Sequence, residues 1–315
     1  MKTRNTITIT LILGILILGM VISCSLLNSS IFKLESGFVS ARALQDIEYQ
    51  VGLGARTPGS HAHAQVGDWI ITELSESGWE VEIQETESMG HPIRNIIATW
   101  GDSHPWILLG AHYDSRLEAN RDPDPKKSKQ PVPGANDGAS GVATLLELSR
   151  IIPQRKEEIF WDGQKGVNQV SLVFFDAEDN GKINDWDWIL GSRAYVSELK
   201  EYPDAVVIID MIGDKSLNIN KEKSSDPNLS EEIWDCASSL GYSNYFIDRS
   251  KYSILDDHTP FLEVGVPSVD IIDFDYAHYH TTNDTIDKIS EKSLKIVGET
   301  LLCWLGRTHI ATPDH

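Results

Sequence analysis

Two histidines, His278 and His280, stand inside the acidic run DIIDFDYAHYHTTNDTIDKIS at residues 270–290. A solvated loop is the ordinary reading of such a pair. Similar chemistry, however, recurs at the ends of apolar runs elsewhere in the chain. ILLGAHYD closes on His112 and Asp114, LVFFDAED closes on Asp176, Glu178 and Asp179, and VVIIDMIG places Asp210 directly after four apolar residues. The glycine-rich PGANDGASG adds Asp137. Imidazole and carboxylate together form the donor set of catalytic zinc, whereas oxygen donors alone suit calcium or magnesium.

Brought close together, Asp137, Glu178, Asp179 and Asp210 cannot all stay ionised without a counter-charge. A like-charged pair ~4 Å apart repels by about 4 kcal/mol at an effective dielectric of ~20. No Lys or Arg directly adjoins any of the four in the sequence, and Lys215 lies five residues beyond Asp210. A divalent cation with His112 and His280 as nitrogen ligands resolves the conflict. Each acid also has a plain structural reading. Asp137 or Ser140 can cap the helix that carries Val142–Leu148, and Glu178-Asp179 can be a polar strand end.

The elements that must position these groups are legible as short, almost wholly apolar runs: WILLGAHYD, VSLVFFDAED, AVVIIDMIG and PSVDIIDF. Runs of that kind are strands covered on both faces. WEVEIQE alternates as a half-buried strand, and NIIATW follows it. Helical patterns fall at 41–53, at 61–77 and in SGVATLLELSRII, with GARTPGS as a turn. The alternation predicts a single α/β sandwich, its central mixed and mostly parallel sheet flanked by helices. In open α/β sheets ligands sit beyond the carboxyl ends of strands. Three strands ending in metal-ligand residues therefore converge on one crevice.

The chain has 315 residues, 41% of them hydrophobic, enough for one large core or two modest ones. Its net charge of −20 excludes nucleic acid as partner, because counterion displacement needs a basic footprint. Lys2 and Arg4 precede an apolar run from Ile7 to Ile22, then Ser23-Cys24. That pattern predicts a signal peptide or membrane anchor over 1–24, a linker over 25–40 and a catalytic domain over 41–312. Val21-Ile22-Ser23-Cys24 resembles a lipobox, and an uncleaved anchor helix is the alternative. Either way the domain is expected outside the cytoplasm, held to the membrane or secreted. Cys236 and Cys303 lack metal-ligand spacing and read as buried apolar residues, although an oxidising compartment would allow a bridge.

The ordered set AHYDS, GANDGASG, FFDAED, IIDMIG and YHTTNDT resembles the zinc aminopeptidase and glutaminyl cyclase superfamily from about residue 41 to 310. The resemblance implies a single α/β domain that acts on peptide or protein N-termini, and a monomer is expected. In the dinuclear aminopeptidases Asp137 would bridge two zinc ions, His112 and Asp210 would bind one, and Asp179 and His280 the other. Glu178 would be the base. In the cyclases Asp137, Asp179 and His280 would hold one zinc, and Glu178 would carry a proton from the α-amine of an N-terminal glutamine to the departing ammonia.

Three features of the resemblance favour the cyclase branch. The 11 residues NGKINDWDWIL after Asp179 carry Trp186 and Trp188, and cyclases place a tryptophan here against substrate. LDDHTPFLEVGVP resembles the cyclase DDH-x-PF segment, in which Asp257 would contact the reacting groups beside Asp210. HYDSRLEANRDPDP resembles the bacterial-type cyclases in particular. Three departures temper this. Tyr279 stands where cyclases usually have tryptophan, Asp179 replaces the glutamate of the animal enzymes, and His112 is retained, which leaves room for a second metal with Asp210. A non-catalytic binding module would be expected to lack Glu178, which is present. His258 either orients Asp257 or merely starts a helix, and Asp114 is expected to support His112 from behind.

Overall fold

The computed structural model describes residues 37–160 and 166–308. The expected signal segment, most of the linker and the last residues of the expected domain lie outside them. Phe38 and Val39, counted above with the linker, belong to the compact unit that begins at Phe38. Phe38 is buried, and the Val39 N–H donates to Glu147 Oε1 at 2.9 Å.

Two helices open the unit, α1 (Ser40–Gly52) and α2 (His61–Glu76), the second capped by the Ser60 hydroxyl on the His63 N–H. Strands β1 (Glu80–Ser88), β2 (His91–Gly101) and β3 (Trp106–His112) follow, then α3 (Ala139–Ile151), β4 (Gln169–Phe175), α4 (Leu190–Glu198) and β5 (Ala205–Asp210). The remainder comprises β6 (Ile219–Lys221), α5 (Pro227–Ser239), β7 (Phe246–Ser250), α6 (Thr259–Glu263), β8 (Ser268–Ile272) and α7 (Glu291–Arg307).

Six strands form the central sheet in the order β1-β2-β4-β3-β5-β8. The pairs β3–β4, β3–β5 and β5–β8 are parallel, while β1–β2 and β2–β4 are antiparallel. The expected mixed sheet is therefore present. The two-stranded parallel sheet β6–β7 was not anticipated. Its strands are short, and β7 is largely exposed, so neither leaves the apolar run that marks a central strand.

Period-two alternation distributes the central strands between two cores. Ile107, Leu109 and Ala111, with Val170, Leu172 and Phe174 and with Val207 and Ile209, join side chains of α1, α2, α3, α5 and α7. Leu108, Val173, Phe175, Val206 and Ile208 face the other way, onto Tyr195 and Val196 of α4 and Phe261 of α6. Each fully buried Leu, Val, Ile or Phe of this kind contributes about 1.5–3 kcal/mol. Burial on both faces leaves only the strand ends for polar chemistry. Cys236 is buried, Cys303 is half-buried, and both are free thiols.

Candidate active site

The carboxyl ends of the adjacent strands β4, β3 and β5 meet at one edge of the sheet. His112 is the last residue of β3 and Asp210 the last of β5, while Glu178 and Asp179 follow β4. Asp137 arrives from the turn before α3, and His280 from the loop after β8. The convergence expected from the strand ends is thus realised.

Two donor groups share Asp137. In the first, His112 Nε2 lies 3.3 Å from Asp137 Oδ1 and 3.2 Å from Asp210 Oδ1. In the second, His280 Nε2 lies 2.9 Å from Asp179 Oδ1 and 3.7 Å from Asp137 Oδ2. Within each group the ligand atoms fall within 4.8 Å of one another. Asp137 Oδ2 and Asp179 Oδ2 are buried and meet no hydrogen-bond donor. Carboxylate oxygens are costly to bury unpaired. Orphaned oxygens beside an imidazole nitrogen fit a divalent cation with mixed nitrogen and oxygen ligation, zinc foremost.

The protonation equilibria carry the same imprint. Burial pushes the Glu178 carboxyl well above the usual range, opposed by His112 and reinforced by Asp256 and Asp179. Burial likewise lifts Asp210 to about 7 against the pull of His112. Burial would lift Asp137 too, but His112, His280 and Arg116 outweigh it and hold its carboxyl below the usual value.

Positioning depends on contacts behind the site, among them the approach of Asp114 to His112 that the sequence led one to expect. Asp114, wholly buried, accepts from the Glu178 N–H at 3.0 Å through Oδ1, which also lies 3.4 Å from His112 Nδ1. Its Oδ2 accepts from the Asp179 N–H at 3.3 Å and from Asn180 Nδ2 at 2.9 Å. One carboxylate thus holds the Glu178 and Asp179 backbone together and stands beside the His112 imidazole. Asp284 fixes the Asp137 turn, accepting from the Asn136 and Asp137 N–H groups at 2.9 and 3.2 Å and from the Tyr276 hydroxyl at 2.7 Å. Gly138 adjoins His112 so closely that a Cβ there would lie 2.6 Å from Nε2. Asp137 and Ser140 do not cap α3, since Gly138 occupies the cap position without a side-chain bond.

Four non-glycine residues of the site adopt positive φ: Ala177 at 53°, Lys182 at 66°, Met211 at 48° and His280 at 57°. Left-handed backbone is unfavourable for such residues, and clusters of it mark functional sites. Here the turns at Ala177 and Met211 flank Glu178 and Asp210, while His280 is itself left-handed.

Side-chain placement adds one residue to the site and decides three readings. The cation buried beside the acids is Arg116, which the sequence did not single out. Arg116 is 2% exposed, donates to the Asp179 carbonyl at 2.6 Å and lies 3.4 Å from Asp179 Oδ1, whereas Lys215 is exposed. Trp186 does not line the cavity; it stacks on His91 at 3.7 Å between ring centroids and packs with Ile93, Ala177, Leu190 and Ala194. Asp256, and not Asp257, lines the cavity, and Asp257 is wholly buried. Of the two alternatives for His258 the helix start holds, since it directly precedes α6, and its Nε2 lies 3.2 Å from Ser224 Oγ and 3.4 Å from Glu222 Oε2. Asp176 also turns away, to His63 Nε2 at 2.7 Å.

The cavity in front of the acids measures about 450 Å³. Trp188, Tyr279, Met211, Ile272, Phe274 and Ile254 supply its apolar walls, with Asp137, Glu178, Asp179, Asp210 and His280 at its floor. The Trp188 ring lies within 15° of parallel to the His280 ring, their centroids 6.0 Å apart, and the Arg116 guanidinium sits 4.7 Å from the Trp188 ring centroid.

The family model described as "Peptidase family M28" matches residues 95–305. Glutaminyl cyclase from Bacteroides thetaiotaomicron, solved with N-acetylhistamine, aligns at 30% identity and TM-score 0.78 over 86% of this chain and 98% of its own. A zinc-dependent exopeptidase from Parabacteroides distasonis aligns at 32% identity and TM-score 0.79 over 86% and 99%. Leucine aminopeptidase 1 of Phaeosphaeria nodorum is 28% identical over 72% of this chain, which spans only 59% of that protein's length. Ligand groups on adjacent strand ends, the sheet order and the matched span agree: the chain belongs to peptidase family M28.

Proposed function

We propose that this chain is a glutaminyl-peptide cyclotransferase, converting N-terminal glutamine to pyroglutamate with release of ammonia. The observation that carries this reading is Trp188, which stands over ligand His280 and walls the cavity beside Glu178. An indole there offers a flat face against which an amide side chain can pack in front of Glu178. The glutaminyl cyclase relative, alignable over nearly its whole length, supports the same reading.

Asp137, Asp179 and His280 would hold the zinc, which supplies Lewis-acid polarisation of the glutamine side-chain carbonyl when bound. The chemistry left to the chain is proton transfer. Glu178 lines the cavity, and its raised affinity for protons suits a carboxylate that must both take and give one near neutral pH. It accepts a proton as the α-amine attacks the side-chain amide carbon. A five-membered ring closes, the C–N bond of the amide breaks, and Glu178 returns the proton to the leaving ammonia. Asp256 and Asp210 face the same space and can accept hydrogen bonds from the neutral incoming amine.

The second donor group, His112, Asp137 and Asp210, favours a second reading, a two-metal aminopeptidase in which water is the nucleophile. One experiment separates the two. Purified protein is incubated with a Gln-peptide and with Leu- and Ala-peptides, and products are weighed by mass spectrometry while bound zinc is counted. Loss of ammonia from the Gln-peptide with one zinc per chain supports the cyclase. Release of the first residue with two zinc ions replaces it with the aminopeptidase.

A further inference from the structure

We propose that the mouth of this cavity selects peptides that carry a carboxylate on their second or third residue, and that Arg121 and Lys182 bind it. The inference rests on reading the cleft as a site for peptide N-termini, but not on which reaction follows.

The chain is strongly acidic, at net charge −20, and the cavity floor is acidic as well. Yet the lining includes Arg116, Arg121 and Lys182. Arg116 is buried and committed to Asp179 and Asn120. Arg121 and Lys182 are exposed. Some exposed cations elsewhere meet acids, as Lys129 meets Glu118 at 2.6 Å and Arg193 meets Glu263 at 2.8 Å, and others, such as Lys200 and Lys223, stand on the open surface away from this cavity. Among the described residues no carboxylate side chain bonds Arg121 or Lys182. The backbone N–H of Arg121 donates to the His280 carbonyl, and its guanidinium carbon sits 3.7 Å from the Tyr279 ring centroid. Arg121 and Lys182 thus bring two exposed cations, without a carboxylate partner among the described residues, into the lining of an otherwise acidic cavity.

Position sets which substrate residue they meet. The Tyr279 and His280 rings are 4.8 Å apart between centroids, and the guanidinium carbon is 3.7 Å from the Tyr279 centroid. The guanidinium therefore lies within about 9 Å of the ligand ring, the reach of two to three extended residues. Stacking on Tyr279 holds its planar fork in place, so little ordering is required when a carboxylate arrives. Lys182 enters from the loop that carries Trp188 and meets the same space.

The test uses C-terminally amidated Gln-Asp, Gln-Ala and Gln-Lys peptides of otherwise equal sequence, so that the variable side chain is the sole carboxylate. The full-length zinc protein should show kcat/KM for the Gln-Asp peptide about 3- to 10-fold above Gln-Lys at low salt, since exposed pairs are individually weak. The ratio should fall toward unity near 1 M salt, where the Debye length is about 3 Å. The double variant R121E/K182E should invert the order, and R121Q/K182Q should abolish it. Calorimetric Kd values for the same peptides give the ordering whatever product forms. If the products are free N-terminal residues, the cyclase reading fails, and Leu-Asp, Leu-Ala and Leu-Lys peptides then test the selectivity by hydrolysis. An acidic preference that reverses with the charges supports the inference in either reaction. Equal treatment of the three peptides, or an ordering that salt and the variants leave unchanged, overturns it.

Discussion

Replacing Asp114 with Asn should damage stability and catalysis together, although the side chain touches neither solvent nor the cavity. Asp114 has four neighbours on the donor side: the Glu178 and Asp179 N–H groups, Asn180 Nδ2 and His112 Nδ1. A carboxylate can accept from all of them, whereas an amide presents an acceptor to one side and a donor to the other. If the amide nitrogen takes the place of Oδ2, it opposes the Asp179 N–H and Asn180. Asn180 cannot flip to accommodate it, because its Oδ1 already accepts from the Leu117 N–H at 2.8 Å. If the nitrogen takes the place of Oδ1, it opposes the Glu178 N–H. Either orientation leaves at least one buried backbone donor unpaired, at about 1–3 kcal/mol, and removes charge-assisted bonds besides. A loss of roughly 2–4 kcal/mol in unfolding free energy is expected. Displacing the base and a ligand should also reduce kcat/KM or zinc affinity by about 10- to 100-fold, the usual scale for groups that orient metal ligands. Urea unfolding monitored by tryptophan fluorescence, with metal analysis and Gln-peptide turnover on the same preparation, gives all three quantities. An Asp114→Asn variant as stable and as active as the parent would refute the argument that this carboxylate organises the site.

Four further outcomes are expected. Replacing His280 with Ala should lose bound zinc and activity together; a full metal equivalent with normal turnover would reject the ligand set. Glu178→Gln should retain zinc and slow turnover by ~100-fold or more, the scale of a positioned proton carrier; loss of metal would show it to be a ligand instead. Gly181→Ala should raise KM for Gln-peptides much as Trp188→Ala does, with zinc kept, because a Cβ at Gly181 would overlap the Trp188 ring; an unchanged KM would remove Trp188 from the substrate wall. Burial lowers the His63 pKa, but its bond to Asp176 outweighs this and raises it overall. The stability this pair contributes is therefore full below the unfolded value near 6.5 and is lost as pH rises through the higher folded value. Unfolding free energies of the parent minus His63→Gln should decline over that interval, and a flat difference would contradict the ion pair.

Hydrophobic runs alone identify the sheet strands that matter, together with the residue types at their ends. WILLGAH, QVSLVFF and AVVIID are buried on both faces, so they can be recognised without knowledge of their neighbours. Acids immediately after such runs are a local signal as well, and strands of this kind place their ends side by side. Facing is not local. Asp256 and Asp257 are adjacent and chemically identical, yet one borders the cavity and the other is wholly buried. Trp186 and Trp188 are two apart, yet one stacks on His91 of a distant hairpin and the other on His280. Arg116 gave no sign of its partner because Asp179 lies 63 residues away in the chain. Long-range packing settles each of these. The left-handed turns at Ala177, Met211 and His280 set where each side chain points, and the packing of loops from distant segments offsets the strain of those turns.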